Sequence, residues 1–418
     1  MRSILYSLTF ILLLSCDLPK QAKKLADGKW RGEIKMQGQI LPFNFEVVSQ
    51  ADSQAIFLIN GEERLPISHL KYNQDSVKIG MLFYDCEIVG KTDGKTFEGE
   101  YVKRFPDKEY RLPITAIWGK NNRFETSVST NNVNFANKWS VSFIEENGDS
   151  TQAVGIFTQE KEELRGTFLT TTGDYRFLAG NVEGRQLNLS CFDGEHAFLF
   201  KATQVDENTL EGTFWSGSAY KATWIARKNP NAALPNPDSL TYLKEGHERL
   251  NFSFPDLKGN QISLEDEKYK GKVVLVQLLG SWCPNCMDET VFLAKYHQAN
   301  KEKPLAIIGL AYERNPDFNE AKKRLEKMKT RFEIGYDILV AGTYQKAAAA
   351  ASLPMLNHVM AFPTTIFIDK KGRVRKIHTG FNGPGTGDYY EKFVEEFNVF
   401  MDKLLAEENE TIENKPQK

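Results

Sequence analysis

The sequence has few cysteines and almost no net charge. Five cysteines in 418 residues are too few for a scaffold that is stabilised by disulfides. A formal net charge of −2 gives no indication of a nucleic acid or of another strongly charged partner. An apolar content of 41% is, by contrast, enough for well-packed cores, and the length predicts two or three domains.

The N-terminus has the pattern of a targeting segment. Arg2 precedes an apolar run of 11 residues, Ile4–Leu14, which is too short to span a bilayer. The run ends in Leu-Leu-Ser-Cys16, which resembles a bacterial lipobox, so we expect cleavage before Cys16 and lipidation of that cysteine. The alternative is an ordinary secretory signal with an incidental cysteine, and both place the mature chain outside the cytoplasm. We therefore expect a signal peptide at 1–15, a polar tether at 16–26 and a periplasm-facing lipid anchor in the bacterial cell envelope.

Residues 27–226 are rich in strand patterns that are separated by glycine-containing turns. A faint internal repeat is present, since Lys138-Trp139 echoes Lys29-Trp30 and Phe192-Asp193 echoes Tyr84-Asp85, at offsets of 109 and 108 residues. The repeat indicates two related antiparallel units, either two small sheets or the two halves of one sandwich or barrel.

Two further cysteines, Cys86 and Cys191, lie in this β-rich region. An oxidising compartment permits a disulfide between them, but the sequence gives no geometry. Two buried, unpaired cysteines are the simpler expectation.

Cys283 and Cys286 have the clearest chemical pattern in the chain. The apolar run Val273–Leu279 before them predicts a strand that is buried on both faces. Pro284 stands at the start of a helical pattern, where a proline is tolerated. The cysteines therefore lie at a helix N-terminus, whose dipole and unpaired N–H groups favour a thiolate. This placement predicts reversible dithiol–disulfide chemistry.

A zinc site and a purely structural disulfide are the alternatives for this cysteine pair. Zinc usually takes four ligands, whereas the sequence has no second CxxC and the nearest downstream histidine, His297, is isolated. A disulfide across so short a loop is strained and reactive, which is unfavourable for a structural bond. Redox chemistry is the preferred interpretation.

Several motifs together resemble the thioredoxin superfamily. Trp282-Cys283-Pro284-Asn285-Cys286 follows the buried strand, and Phe362–Asp369 comes some 80 residues later. Phe254–Leu257, Glu289 and Gly372–Val374 make the pattern similar to that of the TlpA/ResA-like extracytoplasmic thiol-disulfide oxidoreductases. The resemblance covers the chain from about residue 250 to about residue 405, and it implies an α/β thioredoxin-like fold.

The resemblance also implies roles for individual residues. Cys283 is the expected attacking thiolate and Cys286 the resolving thiol. Gln277 stands where cytoplasmic thioredoxins have a buried aspartate, so Glu289 is the expected base for Cys286; the alternative is a first-turn glutamate favoured by the helix dipole. Pro363 is the expected cis-proline that faces the disulfide. The residues expected to contact substrate are Trp282, Pro284, Phe362 and Thr364.

These observations predict an all-β region at 27–226, a sandwich or barrel with duplication, and a proline-bearing linker at 227–250. A thioredoxin-like domain at 251–405 and a polar tail at 406–418 follow. We expect a disulfide reductase that exchanges with protein thiols and disulfides, takes electrons from an upstream thiol donor and needs no cofactor, metal or nucleic acid.

Two other functions remain as alternatives. One is a peroxiredoxin-like peroxidase, although the chain lacks the PxxxTxxC frame and has Gly280 three residues before Cys283. The other is a binding or sensing lipoprotein in which the β-rich region is the functional part.

Overall fold

A computed structural model describes residues 23–50, 53–67, 70–81, 84–125 and 132–408. The predicted signal peptide, the lipidation site at Cys16 and the last ten residues lie outside these described residues. No helix within the described ranges is long and apolar enough to cross a membrane. The described chain forms two β units followed by an α/β unit.

The first unit is a nine-stranded antiparallel half-barrel. Its strands are β1 (Gly28–Met36), β2 (Gln39–Gln50), β3 (Ser53–Asn60), β4 (Glu63–Ile67), β5 (Leu70–Asn73), β6 (Ser76–Gly80), β7 (Cys86–Thr92), β8 (Thr96–Arg104) and β9 (Glu109–Trp118). They pair in the spatial order β4-β3-β2-β1-β9-β8-β7-β6-β5. Alternate side chains along the strands point to one face, where Trp30, Phe43 and Tyr101 are fully buried in the core.

The second unit is a closed eight-stranded barrel with a short additional strand. Its strands are β10 (Asn137–Glu145), β11 (Ser150–Glu160), β12 (Glu163–Thr170), β13 (Gly173–Asp174), β14 (Leu178–Glu183), β15 (Gln186–Phe192), β16 (Ala197–Asp206), β17 (Thr209–Ser216) and β18 (Tyr220–Lys228). The barrel closes because β11 pairs with both β10 and β12, while β13 pairs only with β12. Its core is aromatic and includes Trp139, Phe168 and Phe200.

The two β units are related in the way the repeat predicts. The indole N–H of Trp30 donates to the carbonyl of Ala26 at 2.9 Å, and that of Trp139 donates to the carbonyl of Phe135 at 3.0 Å. Both bonds therefore reach four residues back. In each unit the strand that carries the tryptophan is followed across the sheet in the same order, β1-β9-β8-β7 and β10-β18-β17-β16. The repeat is thus two separate sheets. Cys86 and Cys191 are buried free cysteines, as expected.

The third unit contains a five-stranded sheet, a separate sheet of two short strands, and helices. Its strands are β19 (Ser253–Pro255), β20 (Gln261–Ser263), β21 (Val273–Leu279), β22 (Leu305–Glu313), β23 (Asp337–Thr343), β24 (Thr364–Ile368) and β25 (Val374–Thr379). Its α-helices are α1 (Pro284–Ala299), α2 (Phe318–Arg331), α3 (Lys346–Ser352) and α4 (Asp388–Ala406). The strands β19 and β20 pair with each other. The five-stranded sheet has the order β23-β22-β21-β24-β25, with β21 parallel to β22 and antiparallel to β24. This is the α/β arrangement that the sequence resemblance predicts.

The proline-bearing segment at 227–250 is packed against both of its neighbours. Ala232 is buried with Val154 and Leu169 of the barrel. Further along, Leu243 forms a β-bridge with Leu356, and the hydroxyl of Thr379 donates to that of Thr241 at 2.9 Å. The barrel and the α/β unit are therefore joined by a segment with contacts to each.

Candidate active site

The cysteine pair lies where β21 ends and α1 begins. All seven residues of β21 are buried, and the strand carries the chain directly to Gly280. Cys283 is the N-cap residue of α1, Pro284 is its first helical residue and Cys286 lies in its first turn. A proline fits there because the first N–H groups of a helix have no partner within the helix. Cys283 and Cys286 form a disulfide, with their Cα atoms 5.2 Å apart.

The two sulfurs differ in their surroundings. Sγ of Cys283 accepts a hydrogen bond from the backbone N–H of Cys286 at 3.2 Å and lies 3.5 Å from the carbonyl oxygen of Phe362. Cys283 is 7% exposed, whereas Cys286 is 0% exposed. An N–H donor and a helix N-terminus stabilise a thiolate on Cys283 when the disulfide is reduced. Cys283 is therefore the outer sulfur and Cys286 the inner one.

A cis-proline faces the disulfide. The peptide bond between Phe362 and Pro363 is cis, as the resemblance implies. The Phe362 ring lies 5.9 Å from the ring of Trp282, and the indole N–H of Trp282 donates to the carbonyl of Tyr312 at 2.9 Å. Trp282 and Phe362, two of the predicted substrate contacts, thus lie together beside Cys283.

The other two predicted substrate contacts are enclosed. Pro284 is buried at the start of α1. Thr364 is fully buried, and its hydroxyl donates to the carbonyl of Ala361 at 2.9 Å. Both side chains are buried in this conformation, and their contact with substrate stays a prediction.

Glu289 is a buried acid one helical turn after Cys286. Its carboxylate accepts hydrogen bonds from Nε2 of Gln277 and from the hydroxyl of Thr365, both at 2.8 Å. Burial raises the pKa of Glu289 to about 7, although the two hydrogen bonds lower it. An acid with a pKa near neutrality takes up and releases a proton readily at the working pH.

Strand pairing brings the partners of Glu289 together. Gln277 on β21 is directly opposite Thr365 on β24. The hydroxyl of Thr290 donates to Oε1 of Gln277 at 3.1 Å, which turns the amide nitrogen of Gln277 toward Glu289. Sequence reasoning noted Gln277 and Glu289 separately but missed this link and missed Thr365. Its position two residues after the cis-proline is the signal that could have identified it.

A second buried carboxylate fixes the loop before Cys283. The backbone N–H and the hydroxyl of Ser281 donate to Glu313 at 2.8 and 2.6 Å. Burial raises the pKa of Glu313, which is 1% exposed. Because β22 runs parallel to β21, Glu313 at its end lies at the same edge of the sheet as the disulfide. This contact was also missed, since it depends on the strand register.

The barrel reaches the site from the opposite side. The side-chain amide of Asn285 donates to the carbonyl of Asp174 at 3.2 Å. Arg176 forms ion pairs with Asp288 on α1 and, at 2.6 Å, with Glu63 of the half-barrel. Burial raises the pKa of Asp288 to about 7, against the lowering effect of Arg176. None of these contacts between distant parts of the chain has a sequence signal.

The chemistry of the site follows from these contacts. A disulfide with one outer and one inner sulfur lies at a helix N-terminus, and a buried acid of near-neutral pKa lies one turn away. Among the described residues, no three His, Cys, Asp or Glu side chains are grouped so that they could hold a metal ion. The arrangement is suited to thiol–disulfide exchange.

Comparisons with known proteins agree with this assignment. The Redoxin family model matches residues 244–392. The thioredoxin-like protein YneN of Bacillus subtilis is 31% identical over 138 residues, which cover 33% of this chain and 73% of that protein. The thiol-disulfide oxidoreductase ResA of Halalkalibacterium halodurans is 27% identical over 154 residues, which cover 37% of this chain and 75% of that protein.

A solved thioredoxin domain of a thiol-disulfide oxidoreductase from Bacteroides vulgatus aligns at 25% identity and a TM-score of 0.28, with 37% of this chain and 99% of that chain covered. The half-barrel and the barrel lie before the part of the chain that the Redoxin model matches. The extent and identity of the YneN match, together with the Redoxin match and the geometry of the site, decide the family. This chain belongs to the thioredoxin superfamily as a TlpA/ResA-like thiol-disulfide oxidoreductase.

Proposed function

We propose that the protein is a membrane-anchored, extracytoplasmic disulfide reductase that works through Cys283 and Cys286. The observation that carries the proposal is the cysteine pair at the N-terminus of α1. Its outer sulfur accepts a hydrogen bond from a backbone N–H, and its inner cysteine is fully buried. Glu289, buried one turn further along the helix, supplies a proton acceptor near Cys286.

The reduced protein reacts in two exchange steps. The Cys283 thiolate attacks one sulfur of a substrate disulfide, so that a mixed disulfide forms and the other substrate sulfur leaves as a thiolate, which takes a proton from water. Glu289 then takes the proton of Cys286, and the resulting thiolate attacks Sγ of Cys283. The Cys283–Cys286 disulfide re-forms and the second substrate thiol is released. Two electrons have passed from the protein dithiol to the substrate.

An upstream dithiol donor returns the protein to its reduced form by the same exchange in reverse. The donor becomes a disulfide, and the Cys283–Cys286 bond is cleaved to two thiols. The partners are therefore protein disulfides on one side and a thiol reductant on the other. Trp282, which is half-buried, presents aromatic surface next to Cys283, where either partner would approach, and the buried ring of Phe362 packs against it.

The proposed cellular location rests on the N-terminal sequence. A lipidated Cys16 would hold the chain at a membrane surface outside the cytoplasm, and the residues before Leu25 would act as its tether. The tether is shorter than the predicted 16–26, because Leu25 is already buried in the half-barrel core. Mass spectrometry of the membrane fraction should find a diacylated or triacylated cysteine at the mature N-terminus. A mature chain in the soluble fraction that starts at another residue would contradict the anchor.

Reduction of insulin with dithiothreitol as the electron donor tests the activity. We expect Cys283→Ala to abolish the reaction, because the attacking sulfur is removed. Cys86→Ala is the matched control, since Cys86 is a buried free cysteine in the half-barrel, and it should retain the activity. Full activity in Cys283→Ala would refute the proposed chemistry.

A further inference from the structure

The CxxC segment is covered in part by the β-rich units of the same chain. Every residue from Cys283 to Met287 is buried. The side chains of Pro284 and Met287 line a cavity of about 170 Å³ together with Leu65 and Ile67 of the half-barrel. A substrate disulfide therefore cannot approach this face of α1 without meeting the β-rich units.

The barrel loop Thr171–Arg176, which connects β12 to β14 and includes the two-residue strand β13, contacts α1 directly. The carbonyl of Asp174 accepts from Asn285 at 3.2 Å, and its carboxylate accepts from the backbone N–H of Gly383 at 2.7 Å. A Cβ placed on Gly173 would lie 2.5 Å from Nδ2 of Asn285, so the loop backbone approaches as closely as a glycine allows. The loop thus lies directly against the residue that separates Pro284 from Cys286.

Arg176 holds the end of this loop on α1. Its guanidinium pairs with Asp288 of α1, with Glu63 at 2.6 Å and with Asp193 at 3.4 Å. Arg176 is itself buried, so the pairs are shielded from water and are screened little by salt. The loop is therefore fixed to the helix that carries both cysteines.

Trp282, which precedes Cys283 in the chain, is bounded by Arg314 and the half-barrel. The guanidinium carbon of Arg314 lies 5.1 Å from the ring centre of Trp282 and 5.0 Å from that of Phe105 in the half-barrel. Glu195 of the barrel holds this guanidinium at 2.6 Å. The CxxC segment is thus flanked by the loop Thr171–Arg176 at Asn285 and by Phe105 with Arg314 at Trp282.

We infer that the loop Thr171–Arg176 is a specificity-determining wall of the active site, which selects substrate disulfides by their bulk. The inference rests on the proposed reductase function. A slender disulfide reaches Cys283 between the two flanking groups, whereas a disulfide on a folded protein surface meets the loop before its sulfur meets Cys283.

Asp174→Ala tests this inference in the full mature chain. The substitution removes the carboxylate that accepts from Gly383 and from the backbone N–H of Arg176, and so loosens the loop. Asp149→Ala, in the exposed turn between β10 and β11, is the matched control. The measured quantity is the second-order rate constant with which the pre-reduced protein reduces insulin, divided by the constant for oxidised glutathione.

We expect Asp174→Ala to raise this ratio by at least about fivefold, because each of the two lost hydrogen bonds, at ordinary net strength, permits a change of that size. Asp149→Ala should leave the ratio as it is in the unsubstituted chain. Thr172→Trp, which adds bulk at the exposed tip of the loop, should lower the ratio and provides a test that does not depend on the folding of Asp174→Ala.

The outcomes distinguish a failure of the inferred wall from a failure of the proposed reductase function. If both substrates are reduced and neither Asp174→Ala nor Thr172→Trp changes the ratio, the loop is not a wall. If the unsubstituted chain reduces neither substrate, the proposed reductase function fails instead.

Discussion

At the scale of single residues, the central feature is the buried acid Glu289. Its neighbour Gln277 has no titratable group, so Glu289 is the residue of this pair that can take up a proton. Gln277 instead donates a hydrogen bond to Glu289, and Thr365 donates the other. The inner cysteine thus has a buried carboxyl one helical turn away on α1, with a pKa of about 7.

The pH dependence of stability should carry the signature of Glu289. Its pKa rises from 4.5 in the unfolded chain to about 7 in the fold, so folding favours the protonated form. The contribution of Glu289 to the free energy of unfolding should therefore be highest below pH 4.5. It should be lost as the pH rises from 4.5 through 7. The upper limit of the effect is about 3 kcal/mol, since one pKa unit corresponds to about 1.4 kcal/mol. Asp288, with a pKa also raised to about 7, acts in the same direction.

We expect Glu289→Gln to flatten this dependence and to slow turnover. Relative to the unsubstituted chain, the variant should gain about 1–3 kcal/mol between pH 4.5 and pH 8 in urea unfolding, because it has no charge to bury. Glu302→Gln, at an exposed position, is the control. An unchanged pH slope together with unchanged turnover would show that Glu289 is neither the buried acid nor the base.

The sequence identified Glu289 and Pro363 because each stands at a fixed spacing from a cysteine or within a motif. Thr365 was not identified as a partner of Glu289, because that contact depends on the pairing of β21 with β24. Thr364 was expected to contact substrate, yet its side chain points into the protein. Along a strand, neighbouring side chains alternate in direction, so a motif alone does not say which of two threonines faces the acid.

At the scale of elements, the end of β22 positions the loop that precedes α1. The carboxylate of Glu313 accepts two hydrogen bonds from Ser281, and bonds to a carboxylate are charge-assisted. Because Glu313 is buried, water does not compete for them. They hold the backbone two residues before Cys283 and so set the direction in which the outer sulfur points.

Glu313→Ala should destabilise the protein and slow disulfide reduction. Hydrogen bonds to a charged group contribute about 1.5–3 kcal/mol, and removal of the acceptor leaves the buried donors of Ser281 unpaired. Urea unfolding and insulin reduction measure the two effects. Glu313→Gln keeps an acceptor for Ser281 and should recover a large part of both. Equal losses in the two variants would show that hydrogen bonding to Ser281 is not what matters.

The elements of the α/β unit were predictable because their apolar runs and helical spacings are strong local signals. Val273–Leu279 is a strand with every residue buried, and α1 begins at Pro284, as the two patterns predict. The contact between the loop Thr171–Arg176 and α1 was not predictable, because it joins residues more than a hundred positions apart.

At the scale of the whole molecule, the three units meet in one buried cluster of charges. Arg176 of the barrel pairs with Glu63 of the half-barrel and with Asp288 of α1. Each unit thus contributes at least one member to the cluster. The repeat in the sequence predicted two related β units but could not distinguish a half-barrel from a closed barrel. Closure depends on whether the two edge strands of the sheet pair with each other, as β11 and β12 do in the barrel.

Removal of Arg176 should therefore weaken the association of the three units. We expect Arg176→Met to lower the free energy of unfolding by about 3–5 kcal/mol, because carboxylates remain buried without their partner. Arg165→Met is the matched control, since Arg165 is an exposed barrel arginine that pairs with Glu62 and Glu163, and it should cost less than about 1 kcal/mol. Similar values for the two variants in urea unfolding would mean that the buried cluster does not hold the units together.

We predict that residues 27–226 fold without the α/β unit, because the internal repeat lies wholly before the proline-bearing segment. In that segment Arg176 retains Glu63 and Asp193 as partners, although it loses Asp288. A single cooperative unfolding transition of the isolated segment would support it, whereas an aggregated product would count against it.

Trapping of mixed disulfides tests most directly whether Cys283 attacks and Cys286 resolves. The single variants Cys283→Ala and Cys286→Ala are incubated with a disulfide-containing substrate, and the adducts are identified by peptide mass spectrometry. We expect Cys286→Ala to accumulate a mixed disulfide on Cys283, because attack still occurs while release does not, and Cys283→Ala to accumulate none. Adducts on Cys286 in Cys283→Ala, or no adduct on Cys283 in Cys286→Ala, would contradict the assignment of the two cysteines.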